Sequence, residues 1–137
     1  MNYLLDTSVV IGLLNNRPPI IRKRLRRALG KGDAVALSSV VLFELRYGVA
    51  RSLHRRENDE RLRVFLSGGI DVVPFEEQDA SIAGDLRAAL ETEGTPIGPY
   101  DLLIAAQALR TDASLVTGNV SEFSRVPGLR WEDWTAA

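Results

Sequence analysis

Four short apolar runs, each followed by a stretch of helical character, constrain this chain more than any other feature of its sequence. The runs are Asn2 to Leu5, Ala34 to Leu37, Ile70 to Val73 and Leu115 to Thr117, all strand-like and too short for helices. After the first, Thr7 to Asn15 carries Val9, Val10, Ile11, Leu13 and Leu14. Pro18 and Pro19 restart the chain, and Ile20, Ile21, Leu25 and Leu29 recur at helical spacing until Gly30 and Gly32 stop them. Ser38 or Ser39 is expected to cap a long helix through Glu44 towards Arg56, with another from Asn58 to Leu66. Glu76 to Glu93 places Ile82, Leu86 and Leu90 in register; Gly94 to Pro99 is a loop, and Pro99 opens a helix to Arg110. Pro127 and Gly128 precede a last short segment, Leu129 to Trp131. Strands separated by helices cannot be joined as hairpins, so the sheet must be mostly parallel and covered on both faces. The expected fold is a three-layer α/β/α sandwich, a single domain over residues 1–137 with no linker or repeat.

That architecture gives meaning to four acids. Asp6 in YLLDTS, Glu44 in VVLFELRYG, Asp101 in IGPYDLLIAA and Glu122 in LVTGNVSEF each stand between an apolar element and a turn or helix start. Parallel strands share one C-terminal edge, where acids distant in sequence converge. A bound divalent cation with oxygen ligands removes their mutual repulsion most simply, and Mg²⁺ or Mn²⁺ points to phosphate chemistry. Each acid also has a purely structural reading: Asp6 as a helix N-cap, Glu44 as a buried partner of Arg46 or Arg51, Asp101 as a favourable charge in a first helical turn, and Glu122 as a solvated turn residue. Glu44 is the hardest to dismiss, because Val40, Val41, Tyr47 and Gly48 are its helical neighbours and an unpartnered buried carboxylate is costly. Thr117 and Asn119 supply neutral oxygens beside Glu122.

Composition removes other chemistries. The absence of cysteine excludes disulfides, thiol nucleophiles and Cys-ligated zinc. His54 is the only histidine, which excludes a His-pair ribonuclease and a zinc hydrolase with several His ligands. No G-x-S-x-G, phosphate-binding G-x-x-x-x-G-K-[ST] or H-E-x-x-H is present. With no signal-peptide pattern or membrane-length apolar run, the expected location is the cytoplasm. Net charge is −1, but residues 1–70 hold 13 of the 17 basic residues and 6 of the 18 acids, while the remainder hold 4 and 12. Such polarity suits a phosphate-attracting face near an acidic site, with Arg22, Arg26 and Arg27, or Arg51, Arg55 and Arg56, as candidate phosphate contacts; solvated basic helices are the plainer alternative.

The order L-D-T-S, then F-E-L-x-Y-G, P-x-G-P-Y-D-L-L-I-A, L-V-T-x-N-x-x-E-F-x-R-V-P-G-L and a closing E-D-W resembles the PIN-domain ribonucleases, in particular the VapC toxins of bacterial toxin–antitoxin pairs. The likeness spans nearly the whole chain. It implies that Asp6, Glu44 and Asp101 are metal-binding acids, with Glu122 and Asn119 near the remaining position, Ser8 and Thr117 lining the site, and Mg²⁺ or Mn²⁺ bound. It also implies a small VapB-like antitoxin whose C-terminal segment lies in a groove of the toxin, a homodimer, toxin–antitoxin hetero-oligomers, and RNA, with initiator tRNA suggested by the G-P-Y-D form. Family members often carry Asn or Asp directly after the Thr and some carry Asp next, where this chain has Gly118 and Asn119. Two other classes compete. An aspartyl-phosphate phosphatase would use L-D-T-S as nucleophile, although the second Asp two residues on is missing and Lys23 and Lys31 are the only lysines. A PIN-like module could instead bind RNA or protein without cutting.

Overall fold

The computed structural model describes residues 1–136. Five strands, β1 (Asn2–Leu5), β2 (Ala34–Ser38), β3 (Asp71–Val73), β4 (Ser114–Val116) and β5 (Trp131–Glu132), form one sheet in the order β3-β2-β1-β4-β5. Every pairing is parallel. Seven helices flank it among the described residues: α1 (Thr7–Asn15), α2 (Pro19–Gly30), α3 (Ser39–Arg51), α4 (Arg55–Leu66), α5 (Glu77–Thr92), α6 (Pro99–Arg110) and α7 (Val120–Phe123). The three-layer α/β/α arrangement expected from the strand–helix alternation is the one observed.

Strand order places the functional edge. From β1 the chain first builds outward through β2 to β3, then returns to lay β4 on the other side of β1. Connections on the two sides of β1 therefore diverge, opening a crevice at the carboxyl ends of β1 and β4, the usual ligand position in an open parallel sheet. Asp6 directly follows β1, and its N–H donates to the Val116 carbonyl at 2.9 Å. Thr117 directly follows β4.

The core explains why the strands are so uniformly apolar. Leu4, Leu5, Val35, Leu37, Leu115 and Val116 are each 2% exposed or less, packed beneath Val10, Leu13, Val41, Leu62, Ile104 and Phe123. Helix α6 buries Leu102, Ile104, Ala105, Ala106, Gln107 and Ala108; its small alanines permit close approach to its neighbours. Asp79 of α5 is fully buried against the Arg110 guanidinium of α6, which also pairs with Glu76 at 3.6 Å. These bonds tie together the two helices that precede β4.

Several boundaries depart from the sequence expectation. Helix α3 stops at Arg51 instead of running towards Arg56, because Ser52 turns extended and both its N–H and hydroxyl bond the Val49 carbonyl, at 3.1 and 2.8 Å. Helix α4 consequently begins at Arg55, ahead of Asn58. Residues Val120–Phe123 form a short helix rather than a turn, and β5 lies at Trp131–Glu132, where Leu115 N–H and Thr117 N–H draw it beside β4.

Candidate active site

Asp6 is an N-cap, as its structural reading required: one carboxylate oxygen accepts from Thr7 N–H at 2.8 Å. Its second oxygen accepts from the Thr117 hydroxyl at 2.8 Å and more weakly from Ser8 Oγ at 3.4 Å. Asp6 is 5% exposed, and burial raises its pKa above the ordinary carboxylate value despite these three donors; the Glu122 charge adds to the rise. A cap needs one oxygen at the helix end. Here the other is held across the crevice by β4.

Glu44 has no arginine partner among the described residues. Arg46 pairs with Asp59, and Arg51 donates to the Tyr47 hydroxyl at 3.0 Å while lying over its ring. The Glu44 carboxylate instead accepts from Thr7 Oγ1 at 2.7 Å. Thr7 thus serves two acids, Asp6 through its amide and Glu44 through its hydroxyl.

Asp101 and Glu122 form a second pair. Asp101 sits in the first turn of α6, and Glu122 is brought opposite it by α7. The Asn119 side-chain amide donates to Asp101 Oδ2 at 3.2 Å and to Glu122 Oε2 at 2.7 Å, and Gly98 N–H donates to Glu122 Oε1 at 3.3 Å. The loop backbone comes close: a Cβ on Gly98 would lie 3.5 Å from Asp101 Oδ2. Burial pushes the Asp101 carboxyl up to about 7, reinforced by hydrogen bonding to Glu122 and by the charges of Asp6, Glu122 and Glu44. Glu122 moves the opposite way, lowered chiefly by that same hydrogen bond and further by Asn119, Gly98 and the Arg125 charge. Asp101 therefore lies within electrostatic reach of the other three acids.

The two pairs are joined. Asn119 N–H donates to Thr117 Oγ1 at 2.9 Å, and that hydroxyl donates onward to Asp6. Among the described residues no three acid or imidazole side chains already enclose one point; hydroxyl, amide and backbone donors occupy much of the carboxylate surface. The donor set is oxygen throughout, without sulfur or imidazole, and carries more negative charge than its neighbourhood offsets. That chemistry fits a hard divalent cation and no softer metal.

The six arginines expected at phosphate lie apart from this cluster. None bonds or ion-pairs with the four acids among the described residues. Arg22 is half-buried, and its guanidinium donates to the Leu13 carbonyl at 2.7 Å. Arg26, Arg27, Arg55 and Arg56 are exposed, as is Arg51. Sequence reasoning overlooked Thr7, Gly98 and Arg125, although the first two lie inside the motifs that single out Asp6 and Asp101.

Comparison with known proteins agrees with the fold. The PIN domain matches residues 3–129. A relative from Rickettsia felis named ribonuclease VapC2 is 40% identical over 134 residues, covering 98% of each chain. Another, from Salmonella typhimurium, named tRNA(fMet)-specific endonuclease VapC, is 37% identical with the same coverage of both. A crystal structure of Rickettsia felis VapBC2 bound to a DNA fragment from its promoter superposes with a TM-score of 0.92 at 38% identity, over 98% of this chain and 99% of that one. The chain belongs to the PIN-domain family and, within it, to the VapC ribonucleases.

Proposed function

We propose that this chain is the toxin of a toxin–antitoxin pair, a Mg²⁺- or Mn²⁺-dependent endoribonuclease acting in the cytoplasm as one domain. The single observation that carries the reading is the linked carboxylate cluster, Asp6, Glu44, Asp101 and Glu122, at the switch point of a PIN-domain sheet. Asp6 and Asp101 would hold the ion, with Glu44 bound directly or through water and Glu122 and Asn119 near the remaining position. A bound divalent cation supplies an acidified water and neutralises charge developing on the phosphodiester, roles for which the chain has no spare histidine. Thr7 and Thr117 keep Glu44 and Asp6 aimed into the crevice. Asp101, holding its proton up to about neutral pH, releases it as charge is neutralised beside it. Hydrolysis by water leaves a 5′-phosphate and a 3′-hydroxyl.

The surroundings fit this use. Phe43 and Tyr100, exposed beside Glu44 and Asp101 with ring centroids 5.7 Å apart, offer an apolar face next to the acids for a homodimer or for unpaired bases. A groove of about 240 Å³ between α1, α3 and α4, lined by Ile11, Leu14, Leu45 and Val49 and edged by Glu44 and Arg61, suits the apolar C-terminal segment of a small VapB-like antitoxin. Occupation there would cover Glu44 at the edge of the site. Initiator tRNA is the first RNA to test, since the Salmonella relative is named for it. A phosphatase reading has no support here: Ser8 stands two residues after Asp6, and both lysines belong to the exposed surface of α2 and its C-terminal turn.

The direct experiment incubates purified protein with total RNA in Mg²⁺, with and without EDTA. Discrete cleavage abolished by the chelator is expected. RNA left intact under both conditions, in a protein that still retains it on a filter, would favour a binding module instead.

A further inference from the structure

Asn119 stands where its family resemblance leaves the fourth position open, and its hydrogen bonds assign it a role. Its side-chain amide spends both hydrogens on two different carboxylates, 3.2 Å to Asp101 and 2.7 Å to Glu122. The reverse amide orientation would point a carbonyl at two acids, so the donating orientation is the only favourable one. Its backbone N–H reaches Thr117 Oγ1 at 2.9 Å, and the Thr117 hydroxyl holds Asp6 at 2.8 Å. One residue therefore touches two acids directly and a third through one hydroxyl. Its neighbours complete the arrangement: Gly98 N–H holds the other oxygen of Glu122, and Arg125, which anchors to the Pro96 carbonyl at 2.8 Å, adds a positive charge on the same side.

We infer that Asn119 is a positioning residue, not itself a ligand, and that it delivers Glu122 beside Asp101 as the fourth carboxylate of the site. The inference rests on the ribonuclease reading above and deepens it. As a direct ligand, Asn119 would present its carbonyl oxygen to the ion, yet the geometry turns the NH₂ toward the acids. Three residues along α7 is also the spacing that returns a side chain to the same helical face, so Glu122 reaches the position that Asn119 vacates by donating.

The test measures Mn²⁺ affinity by calorimetry, and melting in EDTA, for wild type, Asn119→Ala, Glu122→Ala and the double variant. Asn119→Ala is expected to weaken Mn²⁺ binding by about 10- to 100-fold, the usual effect of removing an outer-shell partner, and Glu122→Ala, which removes the carboxylate itself, by at least as much. Because Asn119 acts through Glu122, the double variant should fall well short of the product of the two losses. At saturating Mn²⁺, Asn119→Ala should lower kcat for RNA and leave KM near the wild-type value. Unchanged Mn²⁺ affinity in Asn119→Ala, with only a lower melting temperature, would overturn the inference, as would fully multiplicative losses. Should Asn119→Ala not fold, unchanged affinity in Glu122→Ala overturns it equally. A wild type that neither binds Mn²⁺ nor cuts RNA would remove the ribonuclease reading together with this one, whereas an active wild type with an indifferent Asn119→Ala removes this one alone.

Discussion

At Asp101 burial, hydrogen bonding to Glu122 and three neighbouring carboxylates all act in one direction, which makes it the most informative single position. Asp101→Asn keeps the size of the side chain and its compatibility with a first helical turn. The variant should fold, yet lose RNA cleavage by about two to three orders of magnitude, as expected when a charged group that organises the transition state is removed. A folded Asp101→Asn protein cutting at the wild-type rate in saturating Mg²⁺ would show that the active site lies elsewhere. The raised pKa has a second consequence. In the unfolded chain Asp101 loses its proton near 3.8, whereas in the folded protein the proton stays until about 7. Between those values the folded state binds more protons, so this group's stabilising contribution is complete at the acid end and is lost as pH rises through the folded value. Asp6, also raised, acts with the same sign; Glu122, lowered, opposes it. The melting temperature in EDTA should therefore fall between about pH 4 and about pH 7, and Asp101→Asn should flatten that fall. An identical pH profile for the two proteins would mean that Asp101 is not the group titrating.

At the level of elements, helix α2 carries a mixed set of basic residues that the sequence alone presents as equivalent. Arg22 closes the C-terminal end of α1 through the Leu13 carbonyl, which also accepts from Asn16 N–H at 3.3 Å, while Arg26 and Arg27 face solvent. Arg22→Gln is expected to cost about 1.5 to 3 kcal/mol of stability at most, the usual range for losing a charged hydrogen bond. The Arg26→Gln/Arg27→Gln variant should melt like wild type. If these two contact RNA backbone, it should bind RNA more weakly whatever the sequence and lower the salt slope by about 1 to 2. An unchanged slope assigns them to solvation, leaving Arg51, Arg55 and Arg56 at the α3–α4 turn as the remaining basic group. Arg51 is the distinctive member of that group, since its stacking on Tyr47 holds the guanidinium against an aromatic face one helical turn from Phe43.

On the scale of the whole molecule, the cluster is assembled only by folding, because its members come from the ends of β1 and β4 and the starts or middles of α3, α6 and α7. A cation that binds this assembly and not the unfolded chain must stabilise it. At a hundredfold excess over its dissociation constant the gain is about 2.7 kcal/mol, or roughly 10 °C for a chain of this size. Added Mg²⁺ or Mn²⁺ should therefore raise the melting temperature of wild type and do little for the Asp6→Asn/Asp101→Asn variant. Equal shifts in both would sink the shared site. No helix among the described residues is long and apolar enough to cross a membrane.

The alternation of short apolar runs with helices was legible residue by residue, since strand length, helical periodicity and Ser, Gly and Pro boundaries are local properties. From it followed the parallel sheet, its covered faces and the placing of Asp6 and Asp101 at one edge. What the residues opposite each acid would be was not legible. Glu44 could have met Arg46 or Arg51, both within reach along its own helix; packing of α1 against α3 gave it Thr7 instead, while Asp59 of α4 took Arg46. Glu122 read equally well as a solvated turn residue and as a site acid because only four residues form α7, and the approach of the Gly98 loop and Asn119 is what makes it part of the cluster. The early end of α3 at Arg51 likewise has no strong local stop, its serine cap being weaker than the Gly and Pro that mark other boundaries. Periodicity reports which face of an element is buried. Which partner that face meets depends on the pairing of β1 with β4 across 111 residues, from Asp6 to Thr117, and that is set by the packing of the whole sheet.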